Sequence, residues 1–230
     1  MRFPFTSTVS SDLIAESNGV TNQSSVQWGD ISTFLKVLMY STDTFALSGG
    51  IAVTIPAAGD IRINMPNGTP LLAIETESVH LGPFLGALYA PNDKFFFQGF
   101  LQFDFDANGN EVLTGGGGTG LASAGRLNDP AYVFADVGLG YWITPPGACN
   151  QAKSVMAELH YNGSLNDGDL VRSGALQIGD AGNLDTLNLT VGGSLELAHD
   201  TILSAGYVTP LSGGSAFDGA LRVYFEYRPR

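Results

Sequence analysis

The chain has 230 residues, of which 44% are hydrophobic and only 14% are charged, and its formal net charge is −12. The acidic balance argues against nucleic acid as a partner, because phosphate binding requires clustered Lys and Arg. No run of about 18 apolar residues occurs, so the sequence predicts no transmembrane helix. The single cysteine, Cys149, excludes an intramolecular disulfide.

Ten stretches alternate apolar and polar residues at every second position, which is the period of a β-strand. In chain order we predict strands at residues 2–9, 31–40, 44–55, 77–90, 94–106, 131–142, 153–164, 185–198, 201–209 and 217–227. In the clearest stretch, Phe97 and Leu101 face one side, while Gln98 and Gln102 face the other. The segments between the strands are alternately short and long. Strands of this length with such connections are typical of a transmembrane β-barrel.

We therefore predict an all-β protein with a single domain over residues 1–230. It forms an antiparallel up-and-down transmembrane β-barrel of about ten strands. Residues 1–5 show neither the apolar stretch nor the cleavage site of a secretory signal. Because an outer-membrane protein is exported, we expect the signal peptide to lie upstream. With a first hairpin also upstream, an intact chain would have twelve strands.

Five segments carry a resemblance to a known family: 77–84, 89–93, 98–106, 131–142 and 217–227. They are similar to outer-membrane β-barrels related to transporter-like proteins of phenol meta-pathway degradation. The resemblance spans most of residues 30–227. It implies the outer membrane of a Gram-negative cell as the location, and outer-membrane lipid and the barrel-assembly machinery as partners. Such barrels usually end on an aromatic residue, whereas Tyr227 is followed here by Arg-Pro-Arg.

One face of each predicted strand points into the barrel and carries its polar side chains. We expect ten of these residues to line the lumen and set its selectivity: Lys36, Gln98, Gln102, Asp104, Asp136, Glu158, His160, Glu196, Arg222 and Glu226. Small barrels fill their interiors with side chains, so we predict a lining role and no enzyme activity. An alternative is a membrane-embedded hydrolase, in which the acidic cluster and His160 act as a general base on water.

A second motif lies where the strand at 94–106 ends. Asp104, Asp106, Asn108 and Asn110 stand at alternating positions with a glycine at the sixth place, which resembles the opening of a calcium loop. The twelfth position is Gly115 rather than a glutamate. The motif therefore predicts either a weak calcium site or a strand that ends in an Asn-Gly turn. We expect no other cofactor.

The function predicted for this chain is porin-like or transporter-like passage of a small-molecule solute across the outer membrane. A hydrophobic or aromatic solute is implied by the resemblance alone. Ten strands enclose little space, so a structural or anchoring barrel without an open pore is a second interpretation. A third is a secreted, soluble β-sandwich binding module, which would have to expose apolar side chains on at least six strands.

Overall fold

The computed structural model of the chain describes residues 5–7, 12–15, 19–22, 26–65, 68–115, 120–147, 151–174, 176–179, 183–198, 201–212 and 218–227. Within these ranges there is no helix, and so none that is long and apolar enough to cross a membrane. In chain order the strands are β1 (Phe5–Ser7), β2 (Asp12–Ala15), β3 (Gly19–Asn22), β4 (Val26–Trp28), β5 (Ile31–Ser41), β6 (Phe45–Ile55), β7 (Ile61–Asn64), β8 (Pro70–Glu75), β9 (His80–Tyr89), β10 (Phe95–Asp106), β11 (Asn110–Gly115), β12 (Leu121–Leu127), β13 (Tyr132–Thr144), β14 (Lys153–Ser164), β15 (Val171–Ser173), β16 (Leu176–Ile178), β17 (Asp185–Ala198), β18 (Thr201–Pro210) and β19 (Ala220–Tyr227).

Nine long strands form one antiparallel sheet in the order β5-β6-β9-β10-β13-β14-β17-β18-β19. Neighbours in the sheet follow the order of the chain, which is an up-and-down arrangement. The predicted all-β, antiparallel class is confirmed. The described part of the predicted strand at 2–9 is β1, which pairs with β4 rather than with the large sheet; the rest of that prediction lies outside the described residues.

Side-chain direction divides this sheet into two chemically different faces. Even-numbered residues lie on the concave face and odd-numbered residues on the convex face. This holds up to bulges near the ends of β5, β13 and β17. In β10, for example, the convex Phe97, Leu101 and Phe105 are exposed, whereas the concave Gln98 and Gln102 are partly buried.

The nine-stranded sheet curls strongly, because residues of all nine strands line a single cavity on its concave face. That cavity includes Phe34 from β5 and Arg222 from β19, the two edge strands. Within the described residues β5 and β19 are not paired with each other. The closed barrel and its count of about ten strands therefore stay predictions.

Four of the long segments between the predicted strands, at 10–30, 56–76, 107–130 and 165–184, contain short strands that the alternation did not predict. The connections at 56–76 and 107–130 supply β7, β8, β11 and β12, which form a separate four-stranded sheet. The connection at 165–184 supplies the hairpin of β15 and β16. Val171 and Ile178 of that hairpin pack on Val112 of the small sheet. This shared core stabilises strands that are too short to be recognised by alternation alone.

Val112 is fully buried in the core of the small sheet, so replacing it tests whether that core holds the long connections. We expect Val112→Ala to destabilise this region by about 2 kcal/mol, through lost burial and the cavity that remains. Limited proteolysis within residues 107–130 measures the effect. Val191→Ala, an equal change on the exposed convex face, should leave the cleavage rate unchanged. Equal rates for both variants would contradict this account of the core.

Candidate functional site

Two cavities lie along the concave face of the large sheet. The first, of about 500 Å³, lies toward the long connections, and the second, of about 450 Å³, lies toward the short ones. Phe100 and Asp136 line both cavities. The Phe100 ring also contacts that of Phe84, with 5.8 Å between ring centroids. Phe100 and Asp136 therefore mark the boundary between the two cavities.

The predicted lining residues divide between the two cavities. The first cavity is lined by Gln102, Asp104, Asp136, His160 and Arg222. The second is lined by Lys36, Gln98, Asp136 and Glu158. Glu196 and Glu226 are not among the residues that line either one, although both belong to strands of the large sheet. The Glu196 carboxylate accepts a hydrogen bond from the Ala152 backbone N–H at 3.1 Å.

His160 is held on the concave face by hydrogen bonds at both ring nitrogens. Its Nδ1 lies 2.8 Å from Oδ1 of Asp136, and its Nε2 lies 2.9 Å from Oγ1 of Thr190. Asp136 is the direct register partner of His160 on the neighbouring strand. Glu158 lies 3.8 Å from the same Nε2 and accepts a hydrogen bond from the Gln98 side chain. These contacts fix the ring with Nδ1 toward a carboxylate and Nε2 toward a hydroxyl group.

His80 makes a second Asp–His pair at the end of the sheet that faces the long connections. Its Nδ1 lies 2.9 Å from Oδ1 of Asp104, and its Nε2 lies 3.5 Å from Oδ2 of Asp129. The hydrogen bond to Asp104, followed by that to Asp129, raises the pKa of His80 from 6.5 to about 10, against the opposing effect of burial. The imidazolium therefore joins β9 and β10 to the connection that carries Asp129.

The carboxylate of Asp106 accepts hydrogen bonds from three separate segments of the chain. Its Oδ1 accepts a hydrogen bond from the Ser78 hydroxyl at 2.6 Å and from the Gly109 backbone N–H at 2.8 Å. Its Oδ2 accepts one from the Asp129 backbone N–H at 2.9 Å. Burial would raise the pKa of Asp106, but these hydrogen bonds outweigh it and lower the pKa below its ordinary value.

The side-chain oxygens of the two asparagines in the predicted calcium motif accept hydrogen bonds from backbone N–H groups. Oδ1 of Asn108 accepts a hydrogen bond from the Val79 N–H at 2.8 Å. Oδ1 of Asn110 accepts two, from the N–H groups of Glu77 and Ser78 at 2.8 and 2.9 Å. The motif thus clamps the segment that leads into β9. Whether calcium binds there stays a prediction.

A different group of ligand atoms converges at the same end of the sheet. One atom each of His80, Asp106 and Asp129 lies within 4.8 Å of the others. Of these residues, only Asp106 belongs to the predicted calcium set. Sequence reasoning missed Asp129 because it lies in a long connection, outside any alternating pattern.

Sequence reasoning also left out several polar residues of this face, among them Asn162, Asn188 and Thr190. All three stand at even positions of β14 and β17, so the alternation that identified His160 also marks them. Asn162 and Asn188 line the first cavity. Oδ1 of Asn188 is buried and has no hydrogen-bond partner among the described residues. The cavity therefore holds a polar atom that the described chain does not satisfy.

Comparison of the sequence with models of known protein families and with curated proteins gives no match. The site is thus interpreted from its own geometry.

The raised pKa of His80 predicts a pH-dependent contribution to stability. The folded state holds the imidazolium more tightly than the unfolded state does, so the contribution is full below pH 6.5 and is lost as the pH rises toward about 10. Thermal unfolding of the wild type and of His80→Gln across this range should show a difference in stability that shrinks with rising pH. Asn162→Gln, which exchanges one neutral side chain of the same sheet face for another, is the control, and its difference from the wild type should not vary with pH. A constant difference between wild type and His80→Gln would contradict the assignment.

Proposed function

We propose that this chain is an outer-membrane β-barrel whose polar interior passes or binds small molecules. The observation that carries the proposal is the distribution of charge over the nine-stranded sheet. With histidine counted, ten of its charged residues stand at even, concave positions: Lys36, His80, Asp104, Asp106, Asp136, Glu158, His160, Glu196, Arg222 and Glu226. Only Lys153 and Asp185 stand at odd, convex positions, and each is the first residue of its strand.

The convex face between the strand ends suits lipid, because it has no charged side chain and exposes large apolar ones. Val137, Val191 and Phe225 on three different strands are each more than half exposed. A soluble monomer rarely exposes a continuous apolar surface of this kind. A charged residue at the centre of a bilayer costs several kcal/mol, whereas one at the interface costs little. The two convex charges stand at the strand ends, where that cost is small.

Aromatic residues support a membrane boundary near the short connections. Three ring pairs lie there on the convex face: Tyr40–Phe45, Tyr89–Phe97 and Phe95–Tyr141, with centroids 6.2, 6.2 and 5.2 Å apart. Aromatic belts of this kind mark the interfaces of membrane barrels. We take the opposite boundary at the level of the convex Leu81 and Phe105. His80 and Asp106, each at the end of its strand, then lie outside the spanning segments.

The direction of the strands bears on how the barrel closes. With nine antiparallel strands, the edge strands β5 and β19 run parallel to each other. Antiparallel closure therefore needs one more strand of opposite direction. The predicted strand at 2–9 is our candidate for this additional strand, and it would give the even strand number typical of bacterial outer-membrane proteins.

The hydrolase alternative draws on the chain of hydrogen bonds from Asp136 through His160 to Thr190. A carboxylate, an imidazole and a hydroxyl in this order are the parts of an activated nucleophile. Thr190, however, is not among the residues that line either cavity, so a substrate in those cavities would not meet its hydroxyl. We therefore favour lining and binding over catalysis for these three residues.

The cost of a charge on the convex face should depend on depth if the face contacts lipid. Leu85 and Leu81 occupy the same face of β9, at the middle and near one end. We expect Leu85→Arg to destabilise the protein in bilayers by about 2–4 kcal/mol, and Leu81→Arg by about 0–1 kcal/mol. Urea unfolding in vesicles measures both. Near-zero costs for both variants would favour the soluble β-sandwich.

Closure of the sheet into a barrel, and passage of solute through it, can be tested on protein taken from the outer-membrane fraction into mild detergent. A closed barrel should migrate at different positions on a denaturing gel before and after boiling. Swelling of liposomes that contain the folded protein then measures solute passage. A shifted band without swelling would favour the anchoring barrel. A single band, from protein that dissolves without detergent, would overturn the proposal.

A further inference from the structure

The first cavity offers both hydrogen-bond donors and acceptors that the described chain leaves without partners. Oδ1 of Asn188 is a buried acceptor with no partner among the described residues. The side-chain amide of Gln102 and the guanidinium of Arg222 line the same cavity. Neither makes a side-chain hydrogen bond or ion pair with another described residue. A hydroxyl group is the simplest ligand group that meets both needs, because it donates one hydrogen bond and accepts others.

The charge of the cavity favours a neutral ligand. Both of its carboxylates are occupied: Asp104 binds the ring of His80 at 2.9 Å, and Asp136 binds the ring of His160 at 2.8 Å. A cationic ligand would have to compete with these imidazole rings. An anionic ligand would pair with the guanidinium of Arg222 but would also have to approach both carboxylates. The two carboxylates are matched in number by the cationic side chains of His80 and Arg222, so the lining carries little net charge to select an ion of either sign.

A fully apolar ligand fits the cavity no better. It would remove water from the amide side chains without replacing the lost hydrogen bonds, which costs roughly 1–3 kcal/mol for each buried polar group. The cavity also presents the rings of Phe34, Phe100 and Phe134. Aromatic rings provide flat apolar contact area for the C–H faces of a ligand, in addition to the polar contacts. The lining therefore calls for a molecule with hydroxyl groups at its edge and C–H groups on its faces.

We infer that the first cavity binds a neutral, polyhydroxylated molecule of the size of a mono- or disaccharide, with its hydroxyl groups bonding the side-chain amides of Gln102 and Asn188. The volume of about 500 Å³ lies within the range of small-molecule sites. This inference rests on the proposed function and names its solute class. It differs from the hydrophobic or aromatic solute that the family resemblance implies.

Equilibrium dialysis with radiolabelled glucose and sucrose tests the inference on protein in an amine-oxide detergent, which carries no sugar headgroup. We expect saturable binding of at least one of these probes by the wild type. Radiolabelled benzyl alcohol, a small aromatic probe with a single hydroxyl group, should bind more weakly. Asn188→Leu should weaken sugar binding by about tenfold, which corresponds to the loss of about one buried hydrogen bond. Gln102→Leu provides a second variant for the same measurement should Asn188→Leu fail to fold.

Gln151→Leu is the matched control, since it makes an equivalent exchange outside both cavities and should bind sugar as the wild type does. The heat-modifiable band verifies folding of every variant. A folded barrel that binds neither sugar, or binds benzyl alcohol more tightly, overturns the inference and leaves the barrel intact. Equal affinity of folded Asn188→Leu and wild type also overturns it. Loss of the heat-modifiable band in the wild type overturns the proposed function instead.

Discussion

The strict alternation of side-chain direction along the strands determines where charge can lie in this molecule. Because nearly all Asp, Glu, His, Lys and Arg side chains of the large sheet stand on its concave face, they lie close enough to interact across neighbouring strands. Two of the groups are imidazole rings, and each is held by an aspartate: His80 by Asp104 and His160 by Asp136. Polar groups in such a partly buried region are costly unless paired, so the pairing follows from the segregation of charge. The uncharged convex face follows from the same alternation.

The sequence predicted the long strands well because alternation over ten or more residues is a strong signal. The segment predicted as 185–198 is observed as Asp185–Ala198, and that predicted as 94–106 is observed as Phe95–Asp106. At 77–90 the strand begins only at His80, three residues later than predicted. Side chains of Asn108 and Asn110 take the backbone N–H groups of residues 77–79, so these residues do not join the sheet ladder. Local competition of this kind is not visible in a periodic pattern.

For the candidate site, the sequence indicated the face of each residue but not its partner. His80 and Asp106 are direct register partners, yet His80 binds Asp104, two positions away on the same face. Its other ring nitrogen approaches Asp129 from a long connection. Such contacts depend on strand register and on the path of the connections, both of which are set by tertiary packing. The small sheet around Val112 was missed for the same reason: its strands are short and are stabilised by a core that three separate connections share.

The concave face combines large side chains with glycines on neighbouring strands, and this combination explains how a small curled sheet retains open space. A Cβ atom at Gly140 would overlap the ring of Phe96, and one at Gly138 would crowd the Gln98 side chain. Because each glycine leaves room above its strand, the neighbouring side chain can lie along the sheet instead of extending across the interior. Alternation of small and large residues is how small barrels fit their interior side chains. Gly138 and Gly140 therefore have a structural role, because each leaves space on the concave face that a neighbouring side chain occupies.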